Sequence, residues 1–445
     1  MEFPDKFLDH LISCPGFDRQ AFIDAHEIKA PVSLRLNTDK KYVHSLLNKV
    51  PWSENGYYLE ERPQFAFDPL FHAGAYYVQE ASGMFVEYIL NHLPEIDQQL
   101  KVLDLCAAPG GKSTIIASTI TDDSLLVSNE IIKTRISGLK ENLTKWGKTN
   151  IVVTNNDPAD FNKFFEFFDV ILVDAPCSGS GLFRKDNSAI KEWSEENVLH
   201  CQKRQKRILN DIASSLKIGG KLIYTTCSFS KEENEDIVQY LIKEFGMSVE
   251  QLPIPNEWNI ISTESGHRFY PDKLKGEGFF ACVLKKNIEN KTQEDFGSGS
   301  YLPYTAASLE EIEKITPYII NPEKYLYFIF KDSIYCLQKE WYTTLKKITS
   351  GLRVVQAGTE LGKLIRWELI PAHAFVMSKL LQNSIPTIEI DKSTAIQYLR
   401  KENIQIETEI SGWAICTYQN IPLGWIKILP NRVNNYYPVD WRIRK

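Results

Sequence analysis

VLDLCAAPGGKST, at residues 102–114, is an apolar run that ends in a turn of small residues and then opens a helix. Val102, Leu103 and Leu105 read as a buried strand, the paired glycines as a tight turn, and STIIASTI (113–120) as the helix behind it. The same stretch excludes two nucleotide sites. A phosphate loop needs G-x-x-x-x-G-K-[ST], and counting back from Gly111-Lys112-Ser113 puts Cys106 where its first glycine belongs. G-x-G-x-x-G, the usual dinucleotide fingerprint, is also missing. What is left is backbone that can approach a carboxylate or another anion at a helix N-terminus.

Strands and helices alternate outward from this point. LLVSNE (125–130), IVVTNND (151–157), FFDVILVD (167–174) and the strand within KIGGKLIYTT (217–226) follow, and GFFACVLKK (278–286) closes the series. KTRISGLKENLTKWG reads as a helix ending at Gly147, residues 188–216 as a long helical segment, and KEENEDIVQYLIKEFG as another helix. The fold class is therefore α/β, a doubly wound and mainly parallel sheet with ligands at the carboxyl ends of its strands. Glu130 ends the second strand, where an acid suits paired ribose hydroxyls, and Asp157 follows the third, where it can accept from an exocyclic amine. Ribose and adenine without a pyrophosphate fit S-adenosylmethionine better than a nicotinamide dinucleotide.

The bulk properties narrow the class. At 445 residues, two or three domains are expected, and 43% hydrophobic with 24% charged residues is a globular composition. MEFPDKF lacks a basic segment followed by an apolar one, so no signal peptide is expected. No run approaches the roughly 18 apolar residues of a spanning helix, so no membrane partner is expected. Eight cysteines are scattered with no CxxC and no zinc spacing; a reduced cytoplasmic setting and no metal are the expectation. Net charge is −6, but residues 301–445 hold 18 Lys/Arg against 14 Asp/Glu, while residues 1–300 hold the remaining 33 against 43. Such asymmetry suits a nucleic-acid-facing module or an ordinary surface equally.

Two of these strands each deliver a cysteine just past their end: VDAPCSGSG (173–181) with Cys177, and YTTCSFSKEENE (224–235) with Cys227. With VLDLCAAPGGK, and in this order, they resemble the Sun/Nop-type RNA (cytosine-5)-methyltransferases. SLRLNT (33–38), YYVQEASGM (76–84), SNE with Arg135 downstream, and HRFYPDKLKGEGFF (267–280) support the resemblance, which covers roughly residues 1–286. LGKLIRWELIPAHAFVMSK (361–379) and PLGWIKILPNRVNNYYPVDWRI (422–443) look like the bacterial ribosomal RNA enzymes of this family that carry a PUA-like tail.

The resemblance implies a Rossmann-like class I S-adenosylmethionine-dependent methyltransferase domain over 76–286, after an N-terminal α+β RNA-contacting region over 1–75. A linker over 287–300, within the polar and Gly/Ser-rich KKNIENKTQEDFGSGSYLP, leads to a C-terminal region over 301–445 with a β-rich PUA-like RNA-binding module. Carbon 5 of cytosine is too weak a nucleophile to take a methyl group unaided, and a thiolate adding at carbon 6 activates it. By resemblance Cys227 is that nucleophile, Cys177 assists release, and Asp174 meets the N3/N4 edge of the base. From the residues alone the two cysteines cannot be ordered, since related DNA enzymes attack with the Pro-Cys cysteine.

The cofactor is expected on Cys106, Ala107, Ala108, Pro109, Gly110, Gly111, Lys112, Glu130, Arg135, Asp157 and Asp174. Lys112 reaches either Asp174 or a cofactor carboxylate, or is only a solvated helix-start lysine. Arg135 either meets Glu130 or decorates a helix. RNA contacts are expected from Arg35 and Asn37 in SLRLNT and from Arg184 and Lys185 in GLFRKD. CQKRQKR (201–207) reads slightly better as a solvated helix face. In the tail, Arg432, Arg442, Arg444 and Lys445 interleave with Tyr436, Tyr437 and Trp441, a mixture for phosphates and stacking or for a small barrel core. DAPC stands where an (Asp/Asn)-Pro-Pro-aromatic tetrapeptide would mark an amino-methyltransferase. The implied reaction is cytosine-5 methylation of an unpaired or flipped base in ribosomal RNA or the small subunit, by a monomer in the cytoplasm. The alternatives are transfer RNA as substrate, and a non-catalytic RNA-binding assembly factor.

Overall fold

The computed structural model describes residues 2–42, 45, 46, 48–288 and 304–444, so most of the expected linker and Lys445 lie outside the described residues. β1 (Val32–Leu36), β2 (Gly56–Leu59) and β3 (Tyr76–Val78) form a small antiparallel sheet with β1 in the middle. Leu34 pairs with Val78 and Leu36 with Tyr76, which carries the N-terminal unit past the expected boundary at residue 75.

The central sheet is built from β4 (Lys101–Asp104), β5 (Leu125–Asn129), β6 (Ile151–Thr154), β7 (Phe168–Asp174), β8 (Leu216–Thr226), β9 (Met247–Val249), β10 (Ile261–Thr263), β11 (Gly266–Phe269) and β12 (Phe279–Lys286). β4 to β8 run parallel in the order β6-β5-β4-β7-β8, and β12 closes antiparallel against β8. β4 therefore lies at the point where the winding reverses, the position at which an open α/β sheet leaves a crevice beyond its strand ends.

The apolar runs of these strands reflect burial on both faces. Val102, Leu126, Val170, Leu172 and Ile223 pack on one side, and Leu103, Val127, Ile171, Val173 and Leu222 on the other. Two sequence-based boundaries shift. The third strand stops at Thr154, because Asn129 Oδ1 takes the Thr154 hydroxyl and the Asn156 N–H, turning the chain. The segment 188–216 is two helices, Asn187–Glu192 and Glu195–Ile212, with the Ser194 hydroxyl capping the second through the Asn197 N–H at 3.0 Å.

The C-terminal region is not a separate body on a tether. β13 (Thr305–Ala306), β14 (Tyr325–Phe330), β15 (Ser333–Gln338), β16 (Val354–Ala357), β17 (Thr359–Ile365) and β18 (Glu368–Pro371) make a second sheet, except that β16 pairs antiparallel with β6 and extends the central one. Phe328, Leu337, Leu345 and Ile348 share the core of Val152, Phe161 and Ile171. β19 (Thr387–Glu389), β20 (Gly412–Tyr418), β21 (Ile421–Leu429) and β22 (Arg432–Asn435) form the last sheet, whose Cys416, Ile426 and Tyr437 pack against Leu34, Leu36 and Tyr76 of the N-terminal unit. Among the described residues no helix is long and apolar enough to cross a membrane.

Candidate active site

The turn after β4 is held by its neighbours. Ala107 N–H donates to Asn129 O at 2.8 Å and Asn142 Nδ2 to Pro109 O at 2.8 Å. Gly110 has φ +113°, a value that a side chain disfavours, and it starts the helix Gly111–Thr119. Arg135 donates to Ala108 O and pairs with Glu130 at 3.3 Å, tying the turn to the end of β5. It is thus a bridge between the turn and Glu130, not a surface decoration. Glu130 is buried, and its Oε1 accepts the Ile132 N–H at 2.8 Å.

Three further groups stand at or just past the ends of β4 and β6. Asp104 ends β4 with Oδ2 accepting from Ser113 Oγ at 2.6 Å and with Oδ1 unpartnered; burial pushes its carboxyl up to about 7. Burial likewise pushes the Cys106 thiol up, so Cys106 is a poor nucleophile. Asp157 is engaged by its own chain: Oδ1 caps the Ala159 N–H at 3.0 Å and Oδ2 pairs with Arg207 at 3.2 Å.

Beyond β7 and β8 the two thiols meet. Cys177 Sγ lies 3.1 Å from Cys227 Sγ. The loops that carry them touch through Gly181, whose N–H donates to Cys227 O at 2.8 Å and where a Cβ would stand 2.7 Å from that oxygen. The Cys227 sulfur, and burial after it, push the Cys177 thiol well above its ordinary range. Asp174 sits beside them at the end of β7, accepting from Thr225 Oγ1 at 2.8 Å and from Lys112 Nζ at 2.7 Å. Burial works against the Lys112 charge, but Asp174 and then Cys227 outweigh it and hold the ammonium above its usual value. Lys112 therefore reaches Asp174 beside the two thiols and does not lie on the solvated face of its helix.

A carboxylate that sequence reading passes over joins the loops from behind. Glu233 is fully buried; it accepts from Ser178 N and Oγ at 2.8 and 2.5 Å, from Ser228 Oγ at 2.5 Å and from Gln205 Nε2 at 3.1 Å. Its place in the run KEENE looks like an ordinary acidic helix start, and only Gln205 within CQKRQKR carries a signal. That segment is solvated at Lys203 and Arg204, as its charges suggest, yet buries Cys201 and Gln205 at helical spacing.

Three expected RNA contacts are corrected by burial. Arg35 is 2% exposed, stacks over Trp146 and donates to Thr114 Oγ1 at 2.6 Å and Gln79 Oε1 at 3.2 Å. Asn37 donates to Gly74 O and Trp146 O at 3.0 and 2.9 Å. Arg184 is enclosed by Glu277 at 3.0 Å and by the carbonyls of Ala25 and Gly276. All three pin the N-terminal unit and its loops to the central domain, and none faces a phosphate. Lys185, about a third exposed, remains accessible. In the tail Tyr437 is core and Trp441 packs edge-on to His373, while Arg432, Arg442 and Arg444 are exposed. Arg35→Ala should therefore cost about 3 kcal/mol of stability through lost hydrogen bonds and a cavity. It should leave the salt dependence of RNA affinity unchanged, whereas Lys185→Ala should flatten that slope by about 0.7 to 1. Urea unfolding and filter binding across a salt series check both.

Among known proteins, three family models match: the N-terminal domain of 16S rRNA methyltransferase RsmF over residues 3–81, 16S rRNA methyltransferase RsmB/F over 90–285, and the methyltransferase RsmF PUA domain over 385–443. The chain is 29% identical to the ribosomal RNA small subunit methyltransferase F of Shewanella piezotolerans, across 92% of this chain and 90% of that one. It is 30% identical to the protein of the same name from Shewanella sp. strain MR-4, across 88% of this chain and 84% of that one. The solved structure of a methyltransferase homolog from Pyrococcus horikoshii is similar at a TM-score of 0.53 and 29% identity, covering 62% of this chain and 93% of the other.

Proposed function

This chain belongs to the RsmB/F family of 16S rRNA methyltransferases, and from that premise we propose that it methylates carbon 5 of a cytosine in small-subunit ribosomal RNA through a covalent Cys227–cytosine adduct, with S-adenosylmethionine as methyl donor. The observation that carries the reading is the pair of sulfurs 3.1 Å apart at neighbouring strand ends, beside the Asp174–Lys112 pair. Sulfurs this close can act on the adjacent carbons 6 and 5 of one pyrimidine, one adding to the ring and the other taking its proton.

The residues around β4 and β5 suit the cofactor. Glu130 is held rigidly with one carboxylate oxygen toward Arg135 and its other bonded to backbone, a geometry for ribose hydroxyls, and the unpartnered Asp104 Oδ1 points to a missing donor in the same crevice. Bound there, S-adenosylmethionine supplies an electrophilic methyl group and leaves as a neutral thioether.

The chain's own groups do the rest. The Cys227 thiolate forms a bond to carbon 6, which pushes electrons onto carbon 5, while Asp174 accepts from the exocyclic amine and the Lys112 cation balances the negative charge that develops on the ring. Carbon 5 takes the methyl group. Cys177, having released its own proton to solvent, accepts the proton from carbon 5 as a thiolate, and the electrons of that C–H bond restore the ring double bond as the Cys227–carbon 6 bond breaks and frees the Cys227 thiolate. That one chain carries every group in this scheme supports a monomer, and a ribosomal RNA substrate supports work in the cytoplasm.

Bisulfite sequencing of total RNA from cells with and without the protein tests the reading. One small-subunit cytosine should resist conversion only when the protein is present. A lost site in transfer RNA would move the substrate, and no change anywhere with the protein expressed would remove the activity.

A further inference from the structure

We propose that Glu233 is the positioning residue that keeps the two cysteine loops in register, so that one thiol can add to a base and the other can release it. The inference rests on the proposed cytosine chemistry for its purpose, but its geometry stands independently.

Three segments converge on this one carboxylate, and a fourth contact holds its backbone. From the β7 loop, Ser178, next to Cys177, donates its N–H to Oε1 at 2.8 Å and its hydroxyl to Oε2 at 2.5 Å. From the β8 loop, Ser228, next to Cys227, donates its hydroxyl to the same Oε2 at 2.5 Å. From the helix Glu195–Ile212, Gln205 Nε2 divides between Glu233 Oε1 and Pro176 O, both at 3.1 Å. From within β8, Tyr224 donates its hydroxyl to Glu233 O at 2.8 Å and anchors the backbone. The two serines also touch each other, 3.2 Å apart.

No carboxylate is buried without need, because desolvation is unfavourable and burial raises its pKa. Here that cost is offset by four bonds, three of them from Ser178 and Ser228 beside the two thiols and one from Gln205. A fold-stabilising acid would be better served by a cation, as Glu235 is by Arg268 in the same chain. Glu233 has only neutral donors, and three of its four bonds come from the two loops that hold their sulfurs 3.1 Å apart. Misplacing a reacting group by an ångström costs on the order of 100-fold in rate.

Two measurements on the full-length protein test the proposal. The first needs no RNA: diamide removes two electrons and two protons from Cys177 and Cys227 and joins them as a disulfide, followed by peptide mapping. Glu233→Gln keeps the shape and exchanges one acceptor oxygen for an amide donor. It should slow the joining by about 10-fold while near-ultraviolet circular dichroism stays unchanged. The second uses a small-subunit RNA transcript with S-adenosylmethionine. Glu233→Gln should lower kcat about 100-fold with KM for RNA within about twofold, and should raise the fraction of protein trapped on RNA. Ser178→Ala, which loosens only the Cys177 side, should also raise the trapped fraction, and Ser228→Ala should instead slow its appearance.

Unchanged joining by diamide in Glu233→Gln overturns the proposal, as does a loss of activity that follows melting temperature in all three variants with no change in trapping. If diamide joining slows but the wild-type protein methylates nothing, the register role stands and the proposed reaction is what fails.

Discussion

Cys227→Ala protein is expected to leave no RNA bound through denaturing electrophoresis and to lose methyl transfer by at least about 10⁴-fold, whereas Cys177→Ala is expected to remain joined to its substrate. The asymmetry follows from the order of bond making. Without Cys227 nothing adds to carbon 6, so carbon 5 stays too weak to attack, and no covalent species forms. Without Cys177 the addition and the methyl transfer proceed, but the carbon 5 proton has no nearby acceptor and the carbon–sulfur bond persists. The resting geometry supports this division. The Cys177 thiol is held up first by the Cys227 sulfur 3.1 Å away and then by burial. Once Cys227 is bonded to carbon 6 it is an uncharged thioether, and its share of that restraint disappears. Cys177 is then freer to lose its proton at the stage when a base is needed. Trapping by Cys227→Ala instead would exchange the two roles.

The parts of this site that were legible in the sequence are those written in local pattern. β4 to β8 are visible because parallel strands buried on both faces are nearly continuous apolar runs, and their order puts Glu130, Asp174 and both cysteines at carboxyl ends. The parts that were not legible depend on what packs against them. Arg35 and Asn37 look like polar residues on an exposed strand face, and nothing local shows that Trp146 and the helix Gly111–Thr119 will cover them. Glu233 hides in an acidic run because a short 3-10 turn at Lys231–Glu233 breaks the helical period that would have assigned it an inward face. The C-terminal region reads as separate because its strands are short and its linker polar, yet β16 completes the edge beside β6 and its aromatics share the central core. Pairing between strands about 200 residues apart leaves no mark on either one.

Asp174→Asn is expected to lower kcat by about 10³-fold and Lys112→Met by about 10²-fold, with the double variant no worse than Asp174→Asn alone. Asp174 is engaged on both oxygens, by Thr225 and by Lys112, so its carboxylate is oriented before any base arrives. A base entering beside the sulfurs meets an acceptor for its exocyclic amine and a cation within the same contact. Asparagine preserves the size and one acceptor, but it presents an amide donor or loses the charge that holds Lys112. Removing Lys112 leaves the half-buried Asp174 beside the thiols without its counter-charge. Because each residue acts through the other, losing the second after the first removes little that remains. The measurement is a double-mutant cycle on single-turnover methyl transfer, with the rate of adduct formation followed in the same samples. If the two losses multiplied to about 10⁵-fold, Lys112 and Asp174 would serve separate steps, and Lys112 would be assigned to the cofactor carboxylate instead.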